Sequence, residues 1–127
     1  MDIREKIIRN YVNAYNNFDV EGMIADFASD IRFTNIAGGE TTLVVEGLDA
    51  FKEHALQAAG LFSQRRQTIT SISPTDKDAL QVEIEYWAIL AQDLSDELRK
   101  GHELRLSGRS IFSFNAANQV RELVDLS

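Results

Sequence analysis

The chain has 127 residues, of which 44% are hydrophobic, and this is enough to bury one core without cross-links. It contains no cysteine, which excludes a disulfide framework, a thiolate metal site and a cysteine nucleophile. The formal net charge of −7 disfavours binding to nucleic acid, and no stretch approaches the roughly 18 apolar residues that a membrane-spanning helix requires. We therefore predict one domain over residues 1–127, cytoplasmic by default, with neither nucleic acid nor a membrane as a partner.

Two helices are predicted at the start of the chain. Residues 2–18 carry apolar side chains at the spacing of one helical face, namely Ile3, Ile7, Ile8, Tyr11, Ala14, Tyr15 and Phe18. Asp2, with Glu5 three residues later, resembles a capping box. Asp19 can cap a second, shorter helix with apolar positions at Val20, Met23, Ile24 and Phe27. Because very little chain separates these helices, we expect them to pack as a pair.

A strand, a turn and a second strand are expected next. Residues 31–36 are predicted to form a strand in which Asn35 lies on the same side as the apolar Phe33. Residues 37–40 include two glycines and indicate a turn, and residues 41–46 are compatible with a short strand. Asn35 is therefore expected to face the interior.

The rest of the chain predicts a third helix followed by a run of strands. The helix covers residues 48–59, between Gly47 and Gly60. The apolar pattern then changes to period two and predicts strands over residues 62–73, 80–91, 103–114 and 119–126. Short loops favour antiparallel neighbours. Helices followed by strands favour an α+β fold, with three helices on one face of a strongly curved mixed or antiparallel sheet that encloses a pocket.

The other face of the sheet is expected to be an interface. Acidic and basic side chains of two neighbouring strands can pair there, namely Glu83, Glu85, Arg105 and Arg109. Trp87 and Ile89 would lie on the same face, where exposure to water is costly. We therefore expect a homodimer through this face.

The order of these elements resembles the nuclear transport factor two-like superfamily, and within it the SnoaL-like branch of polyketide cyclases, with ketosteroid isomerase as a neighbour. The stretches that carry the resemblance are 11–19, 24–33, 45–47, 108–114 and 120–125. The resemblance implies a cystatin-like conical roll with an internal cavity, usually dimeric through the sheet. It implies no single activity, because the superfamily includes isomerases, cyclases, dehydratases, epoxide hydrolases and non-catalytic binding proteins.

Isomerase chemistry of the ketosteroid type is disfavoured by two of the three positions that it requires. It requires a carboxylate base, plus a tyrosine and a protonated carboxylic acid that share the enolate charge. The resemblance places Tyr11 at the tyrosine, but Asn35 at the base and Ser110 at the acid. An amide is not a base, and a hydroxyl is a weaker donor than a carboxylic acid.

The resemblance to the SnoaL-like cyclases instead places the acid/base at Asp125, on the last strand. One carboxylate with a raised pKa can abstract a proton next to a carbonyl and then protonate the oxygen of the product. Tyr11 and Asn35 would then be the catalytic partners that hold the oxygens of the substrate. The alternative is that Asp125 is a solvated residue near the end of the chain.

Two patterns disagree about the direction of Asp125. The apolar positions of the last strand, Val120, Val124 and Leu126, would turn it outward. A four-residue hairpin loop at 115–118 would instead pair Ser110 with Leu123 and Gly108 with Asp125, and would turn Asp125 toward the pocket. A slip of one residue reverses this result.

The remaining candidates would bind the substrate. Four phenylalanines are expected to form apolar walls: Phe33, Phe51, Phe112 and Phe114. Three polar side chains could line the pocket or its mouth: Tyr15, His54 and Ser110. For Tyr15 the alternative is a core tyrosine with a satisfied hydroxyl, and for His54 a surface or capping histidine. Two distant histidines predict no metal site, and the absence of phosphate-binding and nucleotide-binding motifs predicts no cofactor.

The sequence therefore predicts a protein that binds a small, largely apolar, carbonyl-bearing molecule. As an enzyme it would perform cofactor-independent acid–base chemistry of the cyclase, isomerase or lyase type. The alternative is a non-catalytic dimeric binding module that retains the cavity, which the missing isomerase carboxylates favour.

Overall fold

Three helices and six strands make up residues 2–127, the part of the chain that the computed structural model describes. In chain order they are α1 (Ile3–Asn16), α2 (Val20–Ile24), β1 (Phe27–Ala37), β2 (Glu40–Glu46), α3 (Leu48–Ala59), β3 (Phe62–Asp76), β4 (Ala79–Leu90), β5 (Glu103–Phe114) and β6 (Val120–Leu126). No helix within this described part is long and apolar enough to cross a membrane.

The first two helices begin at the predicted caps. The Asp2 carboxylate accepts a hydrogen bond from the backbone N–H of Arg4, and Asp19 accepts one of 3.0 Å from the N–H of Gly22. Each bond satisfies a donor that the helix itself leaves free. The α3 helix has no such cap and follows Gly47, whose φ of 93° is readily adopted only by glycine.

The sheet has the strand order β2-β1-β6-β5-β4-β3, and the helices pack on its inner face. Neighbouring strands are antiparallel except β1 and β6, which run parallel. The sheet is therefore mixed, and the predicted α+β class with three helices on one face is confirmed. The β1–β6 pairing places the last strand in the middle of the sheet, next to the first one.

The register of the β5–β6 hairpin differs from the predicted one. Asp125 lies opposite Ser110 and not opposite Gly108. The loop covers five residues, 115–119, one more than predicted, and this displaces the strand pairing by one residue. A bulge between Ser113 and Phe114 displaces the pairing by one residue more. Because two displacements of one residue restore the alternation of side chains, Asp125 still shares the inner face with Ser110.

The outer face of the sheet carries both apolar and charged groups. Glu83 lies opposite Arg109, as predicted, but Glu85 lies opposite Ser107 and accepts a hydrogen bond of 2.8 Å from its hydroxyl. Trp87 is half-buried and donates its indole N–H to a carboxylate on β5 at 2.9 Å. No salt bridge joins Glu83 to Arg109 among the described residues, so this pair faces each other in the register without an ion pair. The homodimer through this face stays a prediction.

Candidate functional site

A row of three polar residues crosses the middle of the inner face. Asn35 on β1, Asp125 on β6 and Ser110 on β5 are direct neighbours in the strand register. The Ser110 hydroxyl donates a hydrogen bond of 2.6 Å to Oδ1 of Asp125. The Asn35 amide nitrogen instead donates one of its two hydrogens to the Thr42 hydroxyl at 2.8 Å, which leaves its second N–H and the amide oxygen free.

Two adjoining cavities lie on this face, and Asp125 and Tyr15 line both of them. The smaller cavity, of about 130 Å³, lies beneath α1 and α3 and is lined by Tyr11, Tyr15, Met23, Phe33, Phe51, His54, Ala55, Ala58, Arg65 and Asp125. The larger, of about 200 Å³, lies towards the end of β6, and its polar lining groups include Asn35, Gln67, Tyr86, Arg109, Ser110 and Asp125. Asp125 is the one carboxylate among the lining residues of both cavities.

Most of the predicted site residues line one of these cavities. Those around the smaller one are Tyr11, Tyr15, Phe33, Phe51, His54 and Asp125. Asn35 and Ser110 line the larger one, so Tyr11 and Asn35 face different cavities, with Asp125 between them. The ring of His54 lies 5.9 Å from that of Phe33.

Two predicted wall residues lie elsewhere. Phe112 and Phe114 are at most 1% exposed and line neither cavity, because the helices cover them completely in the core. The Phe112 ring contacts the edge of Tyr11 with its centroid 5.4 Å away, so it supports the cavity wall from behind. The Phe114 ring lies under the guanidinium of Arg4, 5.1 Å from the ring centroid.

The Asp125 carboxyl group has an unusual electrostatic environment. Burial raises its pKa from 3.8 to about 6, and the hydrogen bond from Ser110 acts in the opposite direction because it stabilises the charged form. Its second oxygen, Oδ2, accepts no hydrogen bond from residues 2–127. One oxygen of Asp125 is therefore held in place, and the other is available to exchange a proton near neutral pH.

Tyr11 is held as a neutral hydrogen-bond donor. Its ring stacks on Phe27 at 5.6 Å, and the residue is 7% exposed. Burial raises the pKa of its hydroxyl, the negative charge of Asp125 raises it further, and the positive charge of Arg65 partly opposes these effects. The hydroxyl can therefore donate a hydrogen bond at any pH at which Asp125 acts.

Tyr15 lies at the boundary of the two cavities. Its hydroxyl donates a hydrogen bond of 3.0 Å to the Tyr86 hydroxyl, and burial raises the pKa of both groups. Tyr86 comes from β4 and was not among the predicted site residues. The pair ties α1 to the sheet where the two cavities adjoin.

Arg65 is a further lining residue that the sequence prediction did not include. It is 4% exposed and lines the smaller cavity. Its neighbour Arg66 is exposed on the opposite face of β3. The period-two alternation of that strand could have separated the two arginines, because it places Arg65 on the same face as the partly buried Ile69.

No metal site is formed by the described side chains. Within residues 2–127, no three or more histidine, aspartate or glutamate side chains are grouped so that they could hold an ion. The polar side chains of the site are one carboxylate, one imidazole, hydroxyls, amides and two arginines. Such a set is suited to proton transfer and to holding oxygen atoms.

A mixed sheet covered on one face by three helices, with polar groups lining cavities between them, places the chain in the α+β class of proteins. The family model for the SnoaL-like domain matches residues 8–123. The chain belongs to the SnoaL-like family.

Solved structures with this fold include several SnoaL-like proteins. A candidate SnoaL-like polyketide cyclase from Jannaschia sp. CCS1 matches with a TM-score of 0.78 and 10% identity, over 96% of this chain and 83% of that one. An uncharacterised cystatin-fold protein from Novosphingobium aromaticivorans matches with a TM-score of 0.74 and 12% identity over 100% of both chains. SalBIII, an epoxide hydrolase/cyclase-like enzyme in pyran ring formation in the polyether salinomycin, matches with a TM-score of 0.75 and 15% identity, over 97% of this chain and 88% of that one.

At these identities the likeness establishes the fold alone. The cystatin-like roll expected from the sequence is therefore confirmed. A comparison with curated protein sequences found no significant match.

Proposed function

We propose that this protein is a cofactor-independent acid–base enzyme that acts on a small, largely apolar, carbonyl-bearing molecule. Asp125 would transfer the proton, Tyr11 would hold the carbonyl oxygen, and Asn35 would hold a second oxygen. The reaction class is enolisation followed by ring closure or by proton return, as in a cyclase or an isomerase.

The observation that carries this proposal is the position of Asp125. It is the one carboxylate that lines either cavity, and one of its oxygens is fixed by Ser110 while the other is free. General acid–base catalysis is most effective when the pKa of the group lies near the working pH. The pKa of about 6 for Asp125 satisfies this condition, whereas an ordinary aspartate does not.

The proton balance of the proposed reaction needs no other reactant. Oδ2 of Asp125 takes a proton from the carbon next to the carbonyl, and the electron pair of that C–H bond forms the enolate. The neutral Tyr11 hydroxyl donates a hydrogen bond to the enolate oxygen. The enolate carbon then attacks a second carbonyl of the same molecule, and the protonated Asp125 returns its proton to the new alkoxide. Without a second carbonyl, the proton returns to a different carbon of a conjugated enolate, which moves the double bond and gives isomerisation.

The family and its relatives support the reaction class. The chain belongs to the SnoaL-like family, and structures with the same fold include a candidate polyketide cyclase and an enzyme described as epoxide hydrolase/cyclase-like. Both descriptions concern ring-forming chemistry. This support is weaker than that from the site itself, because the sequence identities are 10% and 15%.

The competing function is a non-catalytic module that binds the same class of molecule. The Asn35 amide nitrogen already donates one of its two hydrogens to Thr42, and Ser110 stands where the resemblance to ketosteroid isomerase implies a carboxylic acid. A binding module would retain the cavities and show no proton transfer. The experiment below therefore distinguishes the two functions.

Exchange of carbon-bound hydrogen for deuterium tests the proposal without knowledge of the natural substrate. Cyclohexanone and 2,4-pentanedione are small enough to be tried in cavities of this size, since an engineered cavity of about 150 Å³ holds benzene. In D₂O, wild-type protein is expected to accelerate their α-hydrogen exchange above the buffer rate. Loss of an acid–base group typically costs about 10²- to 10⁴-fold, so Asp125→Asn should abolish the acceleration.

The matched control is Asp30→Asn, which removes a carboxylate from an exposed position on β1. It should exchange at the wild-type rate. Exchange at the buffer rate with wild-type protein, or unchanged acceleration in Asp125→Asn, would contradict the acid–base function.

A further inference from the structure

Arg65 is a cation inside the smaller cavity, and no carboxylate of the described residues forms a salt bridge with it within 4.0 Å. Its side chain is 4% exposed. An arginine keeps its charge under all physiological conditions. Burial of an unpaired charge is strongly unfavourable, so charged groups in protein interiors are almost always paired.

The contacts of Arg65 leave one edge of its guanidinium free. The Nε–H donates a hydrogen bond of 2.9 Å to the backbone carbonyl of Tyr15. Aromatic rings lie against the group, with the Tyr15 centroid at 3.7 Å and the Phe18 centroid at 4.5 Å. The two terminal nitrogens make no hydrogen bond to residues 2–127, and Nη2 is buried without any partner.

A free guanidinium edge with two terminal nitrogens matches the two oxygens of a carboxylate. Arginine binds a carboxylate through two parallel N–H···O bonds, and the pairing is stronger in surroundings of low polarity. The rest of the smaller cavity is formed mainly by aromatic and aliphatic side chains. The site therefore combines a buried cationic edge with apolar walls, as a small acid with an apolar body would require.

We propose that Arg65 binds the carboxylate of a small organic acid whose apolar body fills the cavity of about 130 Å³. This inference rests on the proposed function and specifies the substrate class as a carbonyl-bearing carboxylic acid. Asp125 lines the same cavity. When the carboxylate of the ligand is bound at Arg65, the Asp125 carboxyl group is therefore available to transfer a proton to or from the apolar body of the ligand.

A purely structural role for Arg65 explains only part of this arrangement. The bond to Tyr15 and the aromatic contacts tie β3 to the end of α1, and they account for Nε and for the faces of the guanidinium. They do not account for the terminal nitrogens. A structural arginine would also show no preference for an acid over an amide of the same shape.

The test compares carboxylates with their uncharged amides. Acetate, butyrate and benzoate are titrated against the ¹⁵N-labelled protein, each beside the corresponding amide, at fixed pH and ionic strength. At least one acid is expected to bind about tenfold more tightly than its amide, which corresponds to about 1.4 kcal/mol. The Arg65 Nε–H resonance should shift on binding of the acid.

Three variants assign the preference to Arg65. Arg65→Gln should lose it, and Arg65→Lys, which keeps the charge but not the two-pronged edge, should retain part of it. Arg66→Gln makes the same change of net charge on the outer face and should bind as the wild type does. If Arg65→Gln does not fold, the Lys variant and the Nε–H resonance still decide the assignment.

The proposal is overturned if no carboxylate binds, if acids and amides bind equally, or if the preference is unchanged in Arg65→Gln. These outcomes are independent of deuterium exchange. A protein that prefers acids but accelerates no exchange would be a binding module for acids. One that accelerates exchange without the preference would be an enzyme for uncharged substrates.

Discussion

Ser110 and Asp125 lie opposite each other on β5 and β6, and the Ser110 hydroxyl donates a hydrogen bond of 2.6 Å to Oδ1 of Asp125. This bond favours the charged carboxylate, whereas burial favours the protonated form. The pKa of Asp125 therefore reflects two opposing effects, of which burial is the larger. Each of the two can be changed separately.

Removal of the Ser110 hydroxyl should raise the pKa of Asp125 above its value of about 6. A hydrogen bond to a charged group contributes about 1.5–3 kcal/mol, so Ser110→Ala should raise this pKa by about one unit or more. NMR titration of the Asp125 side-chain carboxyl carbon measures the change. Ser107→Ala is the control, because its hydroxyl bonds to Glu85 on the outer face. A wild-type pKa near 3.8 would contradict the account of the site.

Asp125 should make the folded protein less stable as the pH rises. Its folded-state pKa of about 6 lies above the ordinary value of 3.8, so the folded state holds the extra proton between these two pH values. The free energy of unfolding therefore falls as the pH rises through this window, by at most about 3 kcal/mol, and this loss persists at higher pH.

Asp125→Asn removes this charge and retains an oxygen that can accept the bond from Ser110. Relative to wild type, it should gain stability from pH 3.8 to about 6 and remain more stable above that range. Urea unfolding at a series of pH values measures the difference. Asp30→Asn, at an exposed position, should show no such trend across this window. A parallel trend in both variants would argue against a buried Asp125 carboxyl group.

The aromatic wall of the smaller cavity should contribute strongly to stability. Phe51 is 3% exposed, and its ring contacts those of Phe27 at 5.0 Å and Phe33 at 5.6 Å. Phe51→Ala removes these contacts and enlarges the cavity, so unfolding should require about 3–5 kcal/mol less. Leu56→Ala, at a position 55% exposed on the same helix, should change stability by about 0.5 kcal/mol or less. Equal effects in denaturant unfolding would contradict the assigned packing.

The outer sheet face should form a homodimer. Light scattering is expected to give about twice the mass of one 14.3 kDa chain, and stable interfaces of this kind bury about 800 Å² per partner. Ile111 lies between Gln81 and Val124 in the register, and Ile111→Lys places a charge on this face. The variant should be monomeric, whereas Leu56→Lys on α3 should behave as the wild type does. A monomeric wild-type protein at micromolar concentration would overturn this prediction.

Local pattern was sufficient for most elements of the fold. The α3 helix and strand β5 have the predicted bounds, and Asp2 and Asp19 cap their helices as expected. The prediction differed where long-range pairing competes with local pattern. Phe27 fits the apolar face of α2, but it pairs with Val120 and belongs to β1. The periodicity of apolar residues within one segment contains no information about a strand that pairs with it from far away in the sequence.

The two sequence patterns disagreed about the face on which Asp125 lies, and the structure agrees with the hairpin pattern although the register of that hairpin was wrong. The loop is one residue longer than expected and a bulge adds another, so the predicted pairing was displaced by two residues. A displacement of two preserves the face and changes the neighbour from Gly108 to Ser110. The hydrogen bond that fixes Oδ1 of Asp125 depends on this neighbour.

By itself the sequence determined the class of fold and the order of its elements, because these follow from periodicity and capping within short segments. Only the tertiary structure decided the neighbours of Asp125, the separation of Tyr11 and Asn35 into adjoining cavities, and the burial of Arg65 beside one of them. The physical reason is that alternation along a strand sets the direction of a side chain. Which groups meet there depends on register, bulges and the parallel pairing of β1 with β6, all of which join residues far apart in the chain.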